Sequence, residues 1–360
     1  STIVVLALLC ATGLSSPLLA QPGADEQLAA IGEAYHHYKI EQSRRIELPD
    51  GSTEAGERLP SVTPTAFLEQ AQHARDWLAQ LGAIDSTAYS PAARIDAAVL
   101  RNLLETELGD ARFREWEMPF DSDNNFWSYL AAPMPLESVA DYQRYIARMR
   151  DIPRYFDENI ANARSGLARG FSVPRVTLQG RDASLVHYVV EDPRQSPFWA
   201  AFSAMPARIP VTEQERLKGE ALGVIRDQVT PAYARVLQFF RDEYLPRTSL
   251  GASQLPDGKA YYAQQIREFT TLKLSAEQIH QLGLDEVARI TAEMEQVRQE
   301  AGFTGTLPEF VHFLRSDPQF VARSPDELMG VSAYVAKRVD GRLKDFFGFL
   351  PRYRFAIRPV

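Results

Sequence analysis

Ser275-Ala-Glu-Gln-Ile-His-Gln-Leu-Gly-Leu-Asp-Glu-Val-Ala-Arg-Ile-Thr-Ala-Glu-Met-Glu-Gln-Val-Arg-Gln-Glu-Ala-Gly302 is the stretch on which the fold turns. Ser275 is followed three residues later by Gln278, the pairing of a capping box, in which each side chain satisfies the other residue's free backbone N–H. Ile279, Leu282, Val287, Ile290, Met294 and Val297 recur at helical spacing and gather on one face. Gly302 supplies the stop. The spacing predicts an amphipathic helix over 275–301, with His280 at the edge of its apolar face.

The same period runs through the rest of the chain. Helices are expected near 25–45, 64–81, 91–109, 136–150, 153–168, 182–191, 212–245, 258–269, 306–315 and 324–347. Pro64, Pro91 and Pro325 each follow Thr or Ser, the cap and first-turn proline of a helix start. Pro49 to Pro64 reads as an exposed loop. Strand signals are confined to Ser172–Leu178 and Tyr353–Val360. No repeat of fixed period is present, which argues against a solenoid. The expectation is a mainly α, multi-helix, two-lobed fold with minor β, its lobes at 21–205 and 206–360.

Composition narrows the class. The 360 residues are 45% hydrophobic and 24% charged, values of an ordinary globular chain rather than a disordered or polytopic membrane one. The formal charge of -8 argues against a nucleic-acid partner. The single cysteine, Cys10, leaves no disulfide framework and no thiolate metal site.

Residues 1–20 carry no charge. Ile3 to Ala11 is an apolar run, followed by Gly13, Ser15, Ser16 and Pro17 and then Leu18-Leu19-Ala20. This is the pattern of a secretory signal peptide cleaved near Ala20, so a periplasmic or secreted protein is expected. The run is too short for a stable membrane span. Ser1 at one end and Phe355-Ala-Ile-Arg-Pro-Val360 at the other read as the cut ends of a longer product.

The chemistry-bearing residues form no self-contained catalytic motif. The histidines at 36, 37, 73, 187, 280 and 312 include no pair at the i, i+4 spacing of a helical zinc site. His187 and Glu191 hold that spacing and are a candidate pair. Nucleophile-elbow, Walker and dinucleotide-binding motifs are absent. Arg164, Arg169, Arg175 and Arg181 surround a glycine-containing connection and are a candidate anion site.

Several segments together resemble one bacterial family, the domain of unknown function 885. They are Ile146-Ala-Arg-Met-Arg-Asp-Ile-Pro153, Asn162-Ala-Arg-Ser-Gly-Leu-Ala-Arg-Gly170, Ser196-Pro-Phe198, Pro231-Ala-Tyr233, Tyr244-Leu-Pro246, Leu255-Pro-Asp-Gly-Lys-Ala-Tyr-Tyr262, Glu277 to Val287 and Phe347-Gly-Phe-Leu-Pro-Arg352. The resemblance implies a gluzincin-type zinc metallopeptidase-like protein, largely helical, with a deep cleft. It also implies that the His-Glu metal helix lies beyond residue 360. This chain would then be an inactive N-terminal fragment that holds no zinc, while the complete protein would bind zinc and a peptide substrate. No catalytic or metal residue carries over. Tyr261, Tyr262 and Arg267, in the most specific segment, are the substrate-cleft candidates, because Tyr hydroxyls and an Arg fork suit a peptide carbonyl or carboxylate. The alternative is a non-catalytic helical binding protein of the cell envelope.

Overall fold

Capping side chains set the helix starts. In the computed structural model, which describes residues 23–49, 52–131, 136–352 and 355–359, the Thr63 hydroxyl accepts the Ala66 N–H at 3.3 Å and the Ser90 hydroxyl accepts that of Ala93 at 3.2 Å. These caps open α2 (Pro64–Ala83) and α3 (Pro91–Phe113), after α1 (Ala24–Gln42) and a short antiparallel pair, β1 (Arg45–Glu47) with β2 (Thr53–Ala55). Ser138 and Asp141 form a capping box for α4 (Val139–Arg169). Single-turn α5 (Ala183–Val186) and α6 (Ala200–Ser203) follow. Next come α7 (Val211–Val224), α8 (Thr230–Gln238) and α9 (Gly258–Thr270). The last helices are α10 (Ala276–Glu300), capped by Ser275 and Gln278 as the sequence indicates, α11 (Leu307–Ser316) and α12 (Pro325–Asp340).

The chain divides into two compact units, one ending at Leu274 and one beginning at Ser275. The core of the first is organised by α4. Tyr142, Ile146, Met149, Ile152, Phe156, Ile160 and Ala163 form its buried stripe. They pack with Leu217, Ala221, Val224, Val229, Tyr233 and Val236 from the α7–α8 rod. That rod widens to π geometry over Ile225–Val229 and again over Phe239–Glu243. The first wide turn directly precedes Pro231, whose missing N–H and bulky ring a regular α ladder accommodates poorly. A second cluster joins α1, α2 and α3 through Leu28, Ile31, Trp77, Leu81, Leu100 and Leu104.

Polar side chains on α4 also receive the chain entering α2. The Leu59 N–H donates to Asp151 at 2.8 Å and the Val62 N–H to Glu158 at 2.9 Å, while Arg154 donates to the Leu59 carbonyl. These bonds satisfy main-chain groups that would otherwise be stranded between helices. Gly166 sets a second close approach to α4. A Cβ there would lie 2.1 Å from the Glu117 carbonyl oxygen, so only glycine lets the turn 115–117 lie against α4.

Several expectations change. The helices expected at 136–150 and 153–168 are one, running through Pro153, because the buried stripe continues without a break on both sides of it. The strand expected at Ser172–Leu178 is instead extended chain followed by a 3-10 turn at Arg175–Leu178. Residues 355–359 of the terminal segment are not in a strand, and Tyr353, Arg354 and Val360 lie outside the described residues. The small hairpin β1–β2 falls where helix end and loop were expected. The lobe boundary expected at 205/206 falls within the first unit, where Phe198 and Phe202 share a core with Leu217 and Tyr233. The signal peptide, its cleavage point at Ala20 and Cys10 lie outside the described residues.

In the second unit Phe310 is buried among Phe303 and Phe313, with Phe320 against Phe313. The apolar face of α10, from Leu282 to Val297, is exposed. Among the described residues no helix is long and apolar enough to cross a membrane.

Candidate functional site

Two helices of the first unit build the candidate site, α3 and α9. They meet at Gly109, where an added Cβ would collide with the Gln264 side chain at 2.2 Å. Below this crossing Phe113, Phe171, Leu255 and Tyr261 form a small apolar cluster. Tyr261 stands edge-on to both phenylalanine rings. Asp257 and Thr271, both in the left-handed region, bracket α9. A β-branched residue is rarely found there, and such strain costs about 1–3 kcal/mol.

On one side of the crossing is a groove of about 790 Å³ along α3. Arg94, Arg101, Arg267 and Lys273 line it together with a single carboxylate, Glu105. Arg267 pairs with Glu105. Among the described residues no carboxylate stands within ion-pair distance of Arg94, Arg101 or Lys273. Arg94 and Arg101 are seven residues apart, so two helical turns place them on one face. The groove is thus a cationic strip on a chain of formal charge -8.

On the other side is a cluster of opposite character. Asp110, Glu115 and Glu268 converge beside Tyr261 and Gln265. Gln265 Nε2 donates to Glu115 at 2.5 Å, and the Tyr261 hydroxyl donates to the same carboxylate. Burial, and then the neighbouring charges of Glu115 and Glu268, push the Asp110 carboxyl up to about 8. Burial raises Glu115 and Glu268 as well. A protonated Asp110 donates to Glu115, so a proton is part of the joint between α3 and α9.

This sets a pH dependence. Unfolded Asp110 titrates near 3.8 and folded Asp110 near 8, so the native state holds the extra proton between those values. The stability this group contributes is complete below about pH 4, falls as pH rises and is gone above about pH 8. Asp110→Asn, which keeps a neutral donor, should flatten that slope. At pH 8.5 the variant should be roughly 1–2 kcal/mol more stable than the parent, the linkage being discounted for partial exposure. Thermal melts at pH 5 and 8.5 check it, and parallel pH profiles for the two proteins would refute it.

Of the cleft residues inferred from sequence, Arg267 lies in the cationic groove and Tyr261 in the carboxyl cluster, buried. Tyr262, the next residue on the helix, is 45% exposed. The three do not converge on one point. The candidate anion site disperses into ion pairs: Arg164 with Glu243, Arg169 with Glu117 and Arg181 with Asp123. His187 and Glu191 do not share a helix face, because α5 stops at Val186. Among the described residues no group of three or more His, Cys, Asp or Glu could hold a metal ion. Arg94, Arg101 and Asp110 escaped sequence reading because nothing local distinguishes them from other charges on an exposed helix face. Their meaning comes from α9, about 150 residues away.

No curated protein matches the chain. Two solved structures share its fold. One is the crystal structure of a candidate lipoprotein from Colwellia psychrerythraea, 20% identical with a TM-score of 0.76, covering 92% of this chain and 61% of that one. The other is a candidate lipoprotein of unknown function from Shewanella oneidensis, 14% identical with a TM-score of 0.55, covering 92% of this chain and 59% of that one. The chain thus spans about three fifths of the length of these relatives. A family model described as bacterial protein of unknown function, DUF885, matches residues 49–360. The segments that suggested a family and the model that spans them agree, and the chain belongs to the DUF885 family.

Proposed function

We propose that the groove along α3 holds the carboxylate end of a peptide, and that the chain is the substrate-binding part of a zinc-dependent peptidase-like protein of the cell envelope. The observation that carries this reading is the cationic strip of Arg94, Arg101 and Lys273, without carboxylate partners among the described residues and closed at one end by Arg267. An Arg fork and a carboxylate match in geometry and in charge. The envelope location is supported by the leader-like residues 1–20 and by the lipoprotein-like fold relatives. The peptidase reading is supported by the resemblance of the sequence segments.

The described residues do not fit a zinc centre. No suitable donor cluster is present among them, and burial favours the protonated forms of Asp110, Glu115 and Glu268. In this reading the zinc site belongs to polypeptide outside these 360 residues. The second reading is a non-catalytic binding protein of the envelope that uses the same groove.

Calorimetry tests the groove. A tripeptide with a free C-terminus should bind and its C-terminal amide should not. Arg101→Gln should weaken binding by about ten- to a hundredfold, since a hydrogen bond to a charged group contributes about 1.5–3 kcal/mol. Equal binding of both peptides, or an unchanged affinity in the variant, would remove the groove from consideration. Incubating the full-length, zinc-loaded protein with a mixed peptide library, with and without chelator, then tests the peptidase reading. Carboxylate binding without cleavage leaves the binding-protein alternative standing.

A further inference from the structure

A second cavity of the first unit shares no residue with the α3 groove and differs from it in chemistry. It has a volume of about 320 Å³, at the lower end of the range of about 300–1,000 Å³ for small-molecule sites. It opens between the start of α2, the connection from α3 to α4, and the middle of α4. Its walls are aromatic. Phe67 stacks on Trp116 with ring centroids 5.2 Å apart and planes 6° from parallel. Phe126 stands edge-on to Tyr155 at 6.2 Å. None of the lining side chains is charged. Burial raises the Tyr155 phenol, which keeps it a neutral donor.

The polar groups at its floor are two asparagines of α4, Asn159 and Asn162, each 3% exposed. Asn159 Nδ2 donates to the Tyr155 carbonyl at 2.8 Å, and Asn162 Nδ2 donates to the Val62 carbonyl at 2.6 Å. A main-chain carbonyl only accepts, so these contacts fix the rotation of both amides and leave each Oδ1 on the free branch. Among the described residues no protein donor reaches either oxygen. Neither oxygen is sealed within the protein, so each is open to the cavity. The two acceptors lie three residues apart on one helix, hence side by side. At the rim, Asn125 Oδ1 accepts the Ser128 N–H at 2.8 Å, which leaves its amide nitrogen as a free donor.

We infer that this cavity binds an uncharged sugar ring. A sugar presents an apolar C–H face, which suits the Phe67–Trp116 and Phe126–Tyr155 walls, and a rim of adjacent hydroxyls. Two neighbouring hydroxyls donate to Asn159 Oδ1 and Asn162 Oδ1, and a third accepts from Asn125 Nδ2. Phosphates, carboxylates and ammonium groups find no counter-charge here and would forfeit their hydration. An extended peptide turns successive residues to opposite sides, so it presents fewer donors to this pair than a sugar's rim of hydroxyls. The site is pre-organised: Asn162 is tied to Val62, and Trp116 is carried on the turn that Gly166 seats against α4. Ordering before binding lowers the cost of binding.

Saturation-transfer NMR with methyl α-glucoside, N-acetylglucosamine and maltose tests the inference on the whole chain. At least one should show transfer to its ring C–H protons. Asn125→Ala and Phe67→Ala, rim and half-buried wall positions, should each weaken it by about tenfold or more while the melting temperature stays near that of the parent. Binding of none of the three sugars would overturn the inference. So would an affinity that neither folded variant alters, or equal occupation of the site by acetyl-alanyl-alanine amide.

Discussion

Replacing Arg169 by methionine should cost about 3–5 kcal/mol of folding stability, the usual consequence of leaving one member of a buried ion pair alone. Its partner Glu117 has a side chain only 2% exposed. Arg169 Nε donates to Glu117 Oε2 at 2.5 Å, and Arg169 Nη2 donates to the Phe113 carbonyl at 2.8 Å. Ser165 donates to the other carboxylate oxygen at 3.0 Å, and Arg114, half in solvent, lies 3.4 Å from it. Without Arg169 the buried charge keeps one hydroxyl and one weakly placed cation, and the last carbonyl of α3 loses a donor. Gly166 leaves no room for relaxation, because the Glu117 backbone already lies against α4. The double variant Glu117→Leu with Arg169→Met should recover much of the loss, since it removes the stranded charge along with its partner. Urea denaturation of the parent, the single and the double variant checks this. A single-variant loss below about 1 kcal/mol would mean that the pair does not fasten the end of α3 to α4.

Phe156→Ala should be of similar size, about 3–5 kcal/mol, for a different reason. Phe156 is fully buried at the middle of α4. It meets Tyr233 edge-on at 4.9 Å and Phe126 at 5.4 Å. The backbone cannot collapse into the vacated volume, because Asp151, Arg154 and Glu158 hold α4 to the chain at 59–62 on its other side. Phe156→Leu, which retains most of the volume, should cost about 1 kcal/mol. The truncation should also weaken sugar binding, because Phe126, a wall of the aromatic cavity, loses the ring behind it. A loss below about 1.5 kcal/mol for alanine would show that the core around α4 repacks freely.

Helix starts were legible in the sequence to within a few residues, because their signals are local. Ser90, Ser275, Thr306 and the prolines after Thr63, Ser90 and Ser324 act within one turn, so the same atoms cap the helix whatever surrounds it. Ile279 through Val297 announced an apolar face by period alone. The break expected at Pro153 failed because a local rule met a tertiary one: continuous burial of Met149, Ile152 and Phe156 holds the helix through it. Ser172–Leu178 failed similarly, since alternating apolar residues lack strand partners and Leu178 is buried from a 3-10 turn instead.

The candidate sites were far less legible. Arg267 was singled out and lies in a groove, but its meaning depends on Arg94 and Arg101 of another helix. Asp110 is an unremarked carboxylate until Glu115 and Glu268 crowd it. Asn159 and Asn162 are ordinary helix polars until Tyr155 and Val62 take their amide nitrogens. The sequence by itself determined that the chain is mainly helical, where its helices begin, which faces are apolar, and which family it belongs to. These depend on caps, periodicity and ordered short segments, all of which act over a few residues. Only the tertiary structure decided which charges gather, which amide oxygens lack a partner and where cavities open, because electrostatics and hydrogen bonding at these sites join residues as far as 150 positions apart.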